Sequence, residues 1–291
     1  MNASNEHPIH VLLVTGELTA EHDPKVNQLL RRLLESTGRF KVKITEEFRG
    51  ATGETLAPYD LVLINYDGDP LPMGRWPDPI TFGQQAESAL LHFVESGKGV
   101  IFYHSSVWSA PWPPEFLKMM GGYCDPKGGS RKNPRLDFPI TFQNRNHAIT
   151  SGLPETLDLV TEDLFAGPVW HPEAQVEILA TAFDSADDYH DMSPHLIPTM
   201  PSPDTITNMN EDQAVAWTNH YGQGRVCVIT IGHGIDTIRR PTFVALVCRA
   251  AEWAATGKVT IPPPDLRGDN RRRVWPYYSD LTIVEYSSLV P

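Results

Sequence analysis

Apolar residues along this chain fall into two alternating patterns. Short unbroken apolar runs occur at His10-Val11-Leu12-Leu13-Val14-Thr15-Gly16, at Tyr59-Asp60-Leu61-Val62-Leu63-Ile64-Asn65-Tyr66 and at Gly99-Val100-Ile101-Phe102-Tyr103-His104. A run of this length bounded by turn signals suits a strand buried on both faces. Between the runs, apolar residues recur at helical spacing. Pro24 opens a helix with Val26, Leu29, Leu30, Leu33 and Leu34 on one face, stopped at Gly38, and a second spans 82–96 through Phe82, Ala86, Ala89, Leu90, Phe93 and Val94. Phe40 to Thr45 alternates apolar and basic residues, as a strand with one exposed face would. Strands alternating with helices imply βαβ crossovers, so the expected fold class is α/β: three αβα layers around a mostly parallel sheet.

Beyond His104 the pattern loosens. Ser109 to Pro114 reads as a rigid proline loop, Pro114 through Met120 as a short helix closed by Gly121-Gly122, and Lys127 to Arg135 as a glycine-rich basic surface loop. Asp137 to Phe142 and Val176 to Phe183 are expected strands, and 184–212 is a long polar excursion. Ala214 to Thr218 and Arg225 to Ile231 form an antiparallel closing hairpin around His220-Tyr221-Gly222-Gln223-Gly224. The second of these strands ends in Gly232-His233-Gly234, and a helix from Pro241 to Thr256 follows. The domain is therefore expected to span 1–257. The tail, 258–291, with its Arg271-Arg272-Arg273 run and Trp275, Tyr277 and Tyr278, reads as an extension packed on the domain or on a partner subunit of a homo-oligomer.

Composition narrows the function classes. The chain of 291 residues carries 24 basic and 36 acidic side chains, a net charge of −12, which argues against nucleic acid as a partner. Cys124, Cys227 and Cys248 are widely spaced without a C-x-x-C pair, which suits a reducing compartment and no zinc–thiolate cluster. The polar stretch Met1 to His10 shows no signal peptide and no apolar run is long enough for a membrane span, so the cytoplasm is the expected location. Thr15-Gly16-Glu17-Leu18-Thr19 after the first strand is no G-x-G-x-x-G, and no G-x-x-x-x-G-K-[ST] occurs, so neither NAD nor ATP is expected.

Several segments together resemble one family, the ThuA-like (trehalose-utilisation) proteins. They are Gly97-Lys98-Gly99-Val100-Ile101-Phe102-Tyr103-His104, Trp112-Pro113 to Gly121-Gly122, Asn146 to Pro154, Thr161-Glu162-Asp163, Ala216-Trp217, Tyr221 to Val226, and Gly232-His233. The resemblance covers roughly residues 10 to 257. It implies a flavodoxin-like fold related to class I glutamine amidotransferases, and a role in disaccharide breakdown alongside oxidoreductases that make keto-sugars. Amidotransferases carry a nucleophilic cysteine at the turn after the strand corresponding to 99–104. Here that turn reads His104-Ser105-Ser106, which rules out a cysteine glutaminase, and the G-x-S-x-G pattern of a serine elbow is missing as well.

The candidate catalytic residues are His104, Glu162 and His233. His104 and His233 end expected strands, where open α/β sheets bind ligands, and Glu162 occupies the family's acidic position. Two imidazoles and a carboxylate are a sufficient ligand set for a divalent metal such as zinc, and the same three serve equally as acid, base and orienting group without metal. Asp67, Ser105, Trp108, Trp112 and His147 are candidate substrate contacts: tryptophan faces pack against sugar rings, Asp67 is placed to bind hydroxyls, and His147 otherwise fixes its own loop. His171 and His220 are read as rim groups, His190 and His195 as part of a solvated loop, and Arg225 as a brace for the hairpin. The expected function is an enzyme of carbohydrate catabolism acting on a sugar or keto-sugar by hydrolysis, elimination or isomerisation. The rival is a non-catalytic module that binds a sugar or a partner in the same crevice.

Overall fold

The structure is a computed structural model that describes residues 7–16, 22–23, 25–66, 68, 80–108, 112–125, 128–133, 135–189 and 208–264. In chain order the elements are β1 (Ile9–Val14), α1 (Lys25–Ser36), β2 (Phe40–Thr45), α2 (Gly53–Leu56), β3 (Leu61–Ile64), α3 (Gln84–Glu95) and β4 (Gly99–Tyr103). A 3-10 turn, His104–Val107, leads to α4 (Pro114–Met120), β5 (Gly122–Tyr123), β6 (Arg131–Lys132), β7 (Leu136–Phe142), β8 (Thr156–Glu162), β9 (Phe165–Ala166) and β10 (Val169–Trp170). Then come β11 (Glu177–Asp184), a 3-10 turn at Ala186–Tyr189, β12 (Glu211–Tyr221), β13 (Gly224–Ile229), α5 (Ile235–Ile238) and α6 (Pro241–Thr256).

One nine-stranded sheet runs β2-β1-β3-β4-β13-β12-β11-β7-β8. Its first five strands pair in parallel, and β13, β12, β11, β7 and β8 pair antiparallel in succession. The sheet is thus mixed, and the closing hairpin is the start of an antiparallel half. Every residue of β3 and β4 is buried, because helices cover both faces of the parallel half. Alternate residues serve opposite layers. Val11, Leu13, Ile101 and Tyr103 face α1 and α6, whereas Leu12, Val14, Val100 and Phe102 face α3 and α4. That two-sided burial is why these strands read as unbroken apolar runs.

Two expectations change. The stretch from Lys127 to Arg135 is not simply a basic surface loop: Arg131 and Lys132 form β6, paired with β9, and Ser130, Arg131 and Asn133 are buried. The Arg131 guanidinium is drawn inward by the buried Asp184 carboxylate, which also accepts a hydrogen bond from the Tyr189 hydroxyl at 2.8 Å. Arg225 braces more than the hairpin. Its guanidinium donates to the carbonyls of Gly97, Trp253, Ala254 and Ala255, closing the last turn of α6 onto the loop before β4.

The start of the tail packs on α6, where the Glu252 carboxylate accepts from the backbone N–H of Thr260 at 2.7 Å and of Ile261 at 3.0 Å. The Arg271-Arg272-Arg273 run, Trp275, Tyr277 and Tyr278 lie outside the described residues, as do 190–207 of the polar excursion. Among the described residues no helix is long and apolar enough to cross a membrane.

Candidate active site

β1, β3, β4 and β13 all end at one edge of the sheet, and the polar groups of the chain converge there. β4 delivers His104 into a sharp turn with φ 49°. A left-handed residue with a Cβ costs about 1–2 kcal/mol, so the surroundings must hold it. They do: the Ser106 hydroxyl donates to Tyr103 O at 2.8 Å, the Trp112 indole N–H donates to Ser106 O at 2.8 Å, and Cys124 N donates to Val107 O at 2.8 Å.

His104 Nδ1 lies 2.8 Å from the carbonyl oxygen of Thr230. A carbonyl only accepts, so Nδ1 carries the proton and Nε2 of the neutral ring presents its lone pair to the cluster. Burial keeps His104 well below the usual imidazole range, with His22 and His233 adding to the effect against the pull of Asp163. Phe165 stacks on its ring at 4.9 Å, and Trp108, half-buried, meets Phe165 edge-on at 5.4 Å.

His233 reaches the same place from β13 through Gly232, whose carbonyl accepts from the Tyr103 hydroxyl at 2.8 Å. His233 Nδ1 stands 3.1 Å from His104 Nε2 and 2.9 Å from Asp163 Oδ2. The ring of His22, from the loop after β1, completes the group, its centre 5.1 Å from that of His104 and 5.0 Å from that of His233.

The two adjacent carboxylates divide the work. Glu162 is fully buried, and its oxygens accept from the backbone N–H groups of Gly232 at 3.1 Å, His233 at 2.9 Å and Asp163 at 3.1 Å. It therefore fixes the backbone that presents His233. Burial pushes its carboxyl up to about 7, against the lowering effect of the Thr237 hydroxyl and of the His233 and Asp163 N–H groups. Asp163 instead faces the imidazoles. Its Oδ2 is 3.9 Å from His104 Nε2 and 3.1 Å from Lys132 Nζ, and its Oδ1 accepts from Arg135 Nε at 3.3 Å. Burial works against its charge, but the close approach of His233, His104 and Lys132 outweighs burial and holds it well below the usual carboxylate range. Thr161, just before the pair, is itself left-handed at φ 51°.

The structure thus brings His104 and His233 together, with Glu162 one step behind them on the backbone. Ser105 is buried next to His104, its hydroxyl without a hydrogen-bond partner among the described residues. Trp108 reaches the cluster through Phe165, whereas Trp112 is buried among Tyr66, Phe82, Phe102 and Phe116. His147 lies at the opposite edge, its ring against Trp253 and its Nδ1 accepting from Ile149 N at 3.2 Å, and His220 meets the same tryptophan. His171 accepts from Glu173 N in its own turn. Asp67, His190 and His195 lie outside the described residues. Sequence reasoning missed His22, Lys132, Arg135, Phe165 and the role of Asp163. For His22 the signal is weak: it lies eight residues past the end of β1, whereas His104 directly follows β4.

The parallel half has the strand order 2-1-3-4-5 and gathers its polar cluster at the carboxyl ends of the strands, as in flavodoxin-like α/β proteins, a class that binds ligands at that edge. Cys124, Cys227 and Cys248 are all buried and none belongs to the His104–Val107 turn, and burial pushes the Cys124 thiol up to about 12. The family model described as ThuA, trehalose utilisation, matches residues 10–254, and the chain belongs to that family, which places it in carbohydrate metabolism. A ThuA-like protein from Parabacteroides merdae superposes with a TM-score of 0.66 at 23% identity, over 89% of this chain and 94% of that one. One from Bacteroides uniformis gives 0.61 at 18% identity, over 89% and 96%. A cytoplasmic protein from Salmonella typhimurium gives 0.54 at 10% identity, over 84% and 99%. No curated protein matches the chain.

Proposed function

We propose that this protein is an enzyme of carbohydrate catabolism that acts on a sugar or keto-sugar by proton transfer at the carbon beside a carbonyl or glycosidic carbon. The observation that carries the reading is the contact of His104 Nε2 with His233 Nδ1 at 3.1 Å, with Asp163 2.9 Å from the same nitrogen. Buried neutral imidazole beside an ionised carboxylate suits proton abstraction at neutral pH. Lys132 and Arg135, each partly exposed and paired with Asp163, are the nearby cations that can offset the negative charge an oxygen gains when that proton leaves. Returning the proton to the neighbouring carbon gives isomerisation, and expelling a substituent from that carbon gives elimination. Trp108, half-buried and backed by Phe165, offers an apolar face to a sugar ring.

The test is proton exchange at the carbon beside the carbonyl, followed by NMR in D2O over a panel of keto-disaccharides. The native chain should exchange that proton, and folded His104→Ala and Asp163→Asn variants should not. Sugars that bind without any exchange or turnover would overturn the reading in favour of a non-catalytic binding module.

A further inference from the structure

The three imidazoles of the cluster make a nearly equilateral triangle. Ring centres of His22, His104 and His233 are 5.1, 5.0 and 5.1 Å apart, and a nitrogen of each lies within 4.8 Å of the others. Packing among aromatic rings does not demand such regularity; a shared ligand does. A tetrahedral zinc ion with Zn–N bonds of about 2.0–2.1 Å sets coordinated ring centres roughly 5.2 Å apart and bound nitrogens roughly 3.3 Å apart. The His104 Nε2 to His233 Nδ1 distance is 3.1 Å.

The acceptors turned into the cluster point the same way. His104 Nδ1 spends its proton on Thr230 O, so Nε2 is an acceptor. Asp163 Oδ2 is another, buried, with Lys132 Nζ 3.1 Å away. A single proton on His233 Nδ1 faces both and satisfies one at most. Lone pairs meeting at one buried point are what a cation can bind.

We propose that His22, His104 and His233 together bind one divalent transition-metal ion, zinc by the geometry. The site takes its third ligand from His22, since the Glu162 oxygens are occupied by three backbone N–H groups. Asp163, paired with Lys132 and Arg135, lies beside the three imidazoles, and the fourth position would be left to a water or a substrate oxygen. Three protein ligands with an open fourth position are the mark of a catalytic site, where a structural zinc would have four. Thr230 O behind His104 is the kind of second partner that fixes the tautomer of a metal-binding imidazole. The chemical role of the ion, though not its binding, rests on the function proposed above: it would polarise the substrate oxygen beside the carbon that loses its proton.

The experiment is metal analysis and calorimetry of the full chain, stripped with chelator and titrated with zinc chloride. Visible spectra of the cobalt-loaded chain report the geometry. One ion per chain with a tetrahedral cobalt spectrum is expected. His22→Gln should weaken binding by more than about 100-fold while the metal-free variant melts like the metal-free native chain. His171→Gln should change nothing. Should His22→Gln fail to fold, His233→Gln serves in its place. Absence of binding at micromolar zinc, or native affinity in the folded variant, would overturn the site. A zinc-loaded chain that exchanges no sugar proton refutes only the proposed function, and a chain that exchanges protons but binds no metal refutes only the ion.

Discussion

A missing Cβ shapes the turn that presents His233. Gly232 has φ 112°, and a Cβ there would stand 2.0 Å from the Tyr103 hydroxyl and 2.8 Å from the Phe243 ring, both in the packed core. Gly232→Ala should therefore cost roughly 2–4 kcal/mol, the sum of overpacking and backbone strain, and should displace His233 as well. Chemical denaturation checks the first effect and loss of zinc affinity the second; a variant as stable as the native chain would contradict this account. At the other edge of the sheet, Asp60 receives Lys98 Nζ at 2.8 Å and the His10 backbone N–H at 3.0 Å. Partial burial raises its carboxyl, but these partners outweigh burial and hold it below the usual range. A depressed folded value means the stabilisation is present above the unfolded pKa of about 3.9 and disappears as pH falls through the folded value. With both side chains 38% exposed, solvent screening limits the effect to about 1 kcal/mol or less. Asp60→Asn should thus be slightly less stable at pH 7 and indistinguishable from the native chain in strong acid; a deficit that persists there would exclude the ion pair as its source.

The last helix acts as a clamp. From α6, the Arg249 guanidinium donates to the carbonyls of Ala148, Ile149, Ser151 and Ile261, tying the loop before β8 and the start of the tail to the helix. Replacing Arg249 with methionine keeps the apolar stem but leaves these carbonyls without their donor, at a cost of about 2–4 kcal/mol. Zinc affinity should stay native, because the clamp touches none of the three histidines. Loss of metal together with stability would show that the clamp and the cluster are coupled. Elements of this size were legible in the sequence: β1, β3, β4 and β13 as unbroken apolar runs, and α1, α3 and α6 as amphipathic periods. The two-residue strands β5, β6, β9 and β10 were not, because a pair of residues has no periodicity. The site was half legible for a related reason. His104 and His233 are marked by the strands they end, but the choice between Glu162 and Asp163 depends on a backbone that Thr161 turns left-handed, which breaks the alternation of side chains. Arg131 misleads for the opposite reason: its partner, Asp184, lies far along the chain, and only folding reveals that the charge is matched.

At the scale of the whole molecule, the cluster sits across the seam of the mixed sheet. His22 follows β1, His104 ends β4 and His233 follows β13, all in the parallel half, while Asp163 follows β8 at the far antiparallel edge. The antiparallel strands must therefore curl over the carboxyl edge to bring Asp163 within 2.9 Å of His233. An ion bound to three of these segments joins parts of the chain more than two hundred residues apart, and such a ligand stabilises only the folded state. Zinc at about a hundred times its Kd should add about 2.7 kcal/mol. At roughly 2–4 °C per kcal/mol for a chain of this size, removing it with chelator should lower the Tm by about 5 °C or more. Restoring zinc should restore the Tm in the native chain and in Arg249→Met, but not in His22→Gln. A Tm indifferent to chelator in a chain shown to carry zinc would place the ion on the surface, away from the seam. A chelator effect equal in the native chain and in His22→Gln would assign the stabilising ion to other ligands.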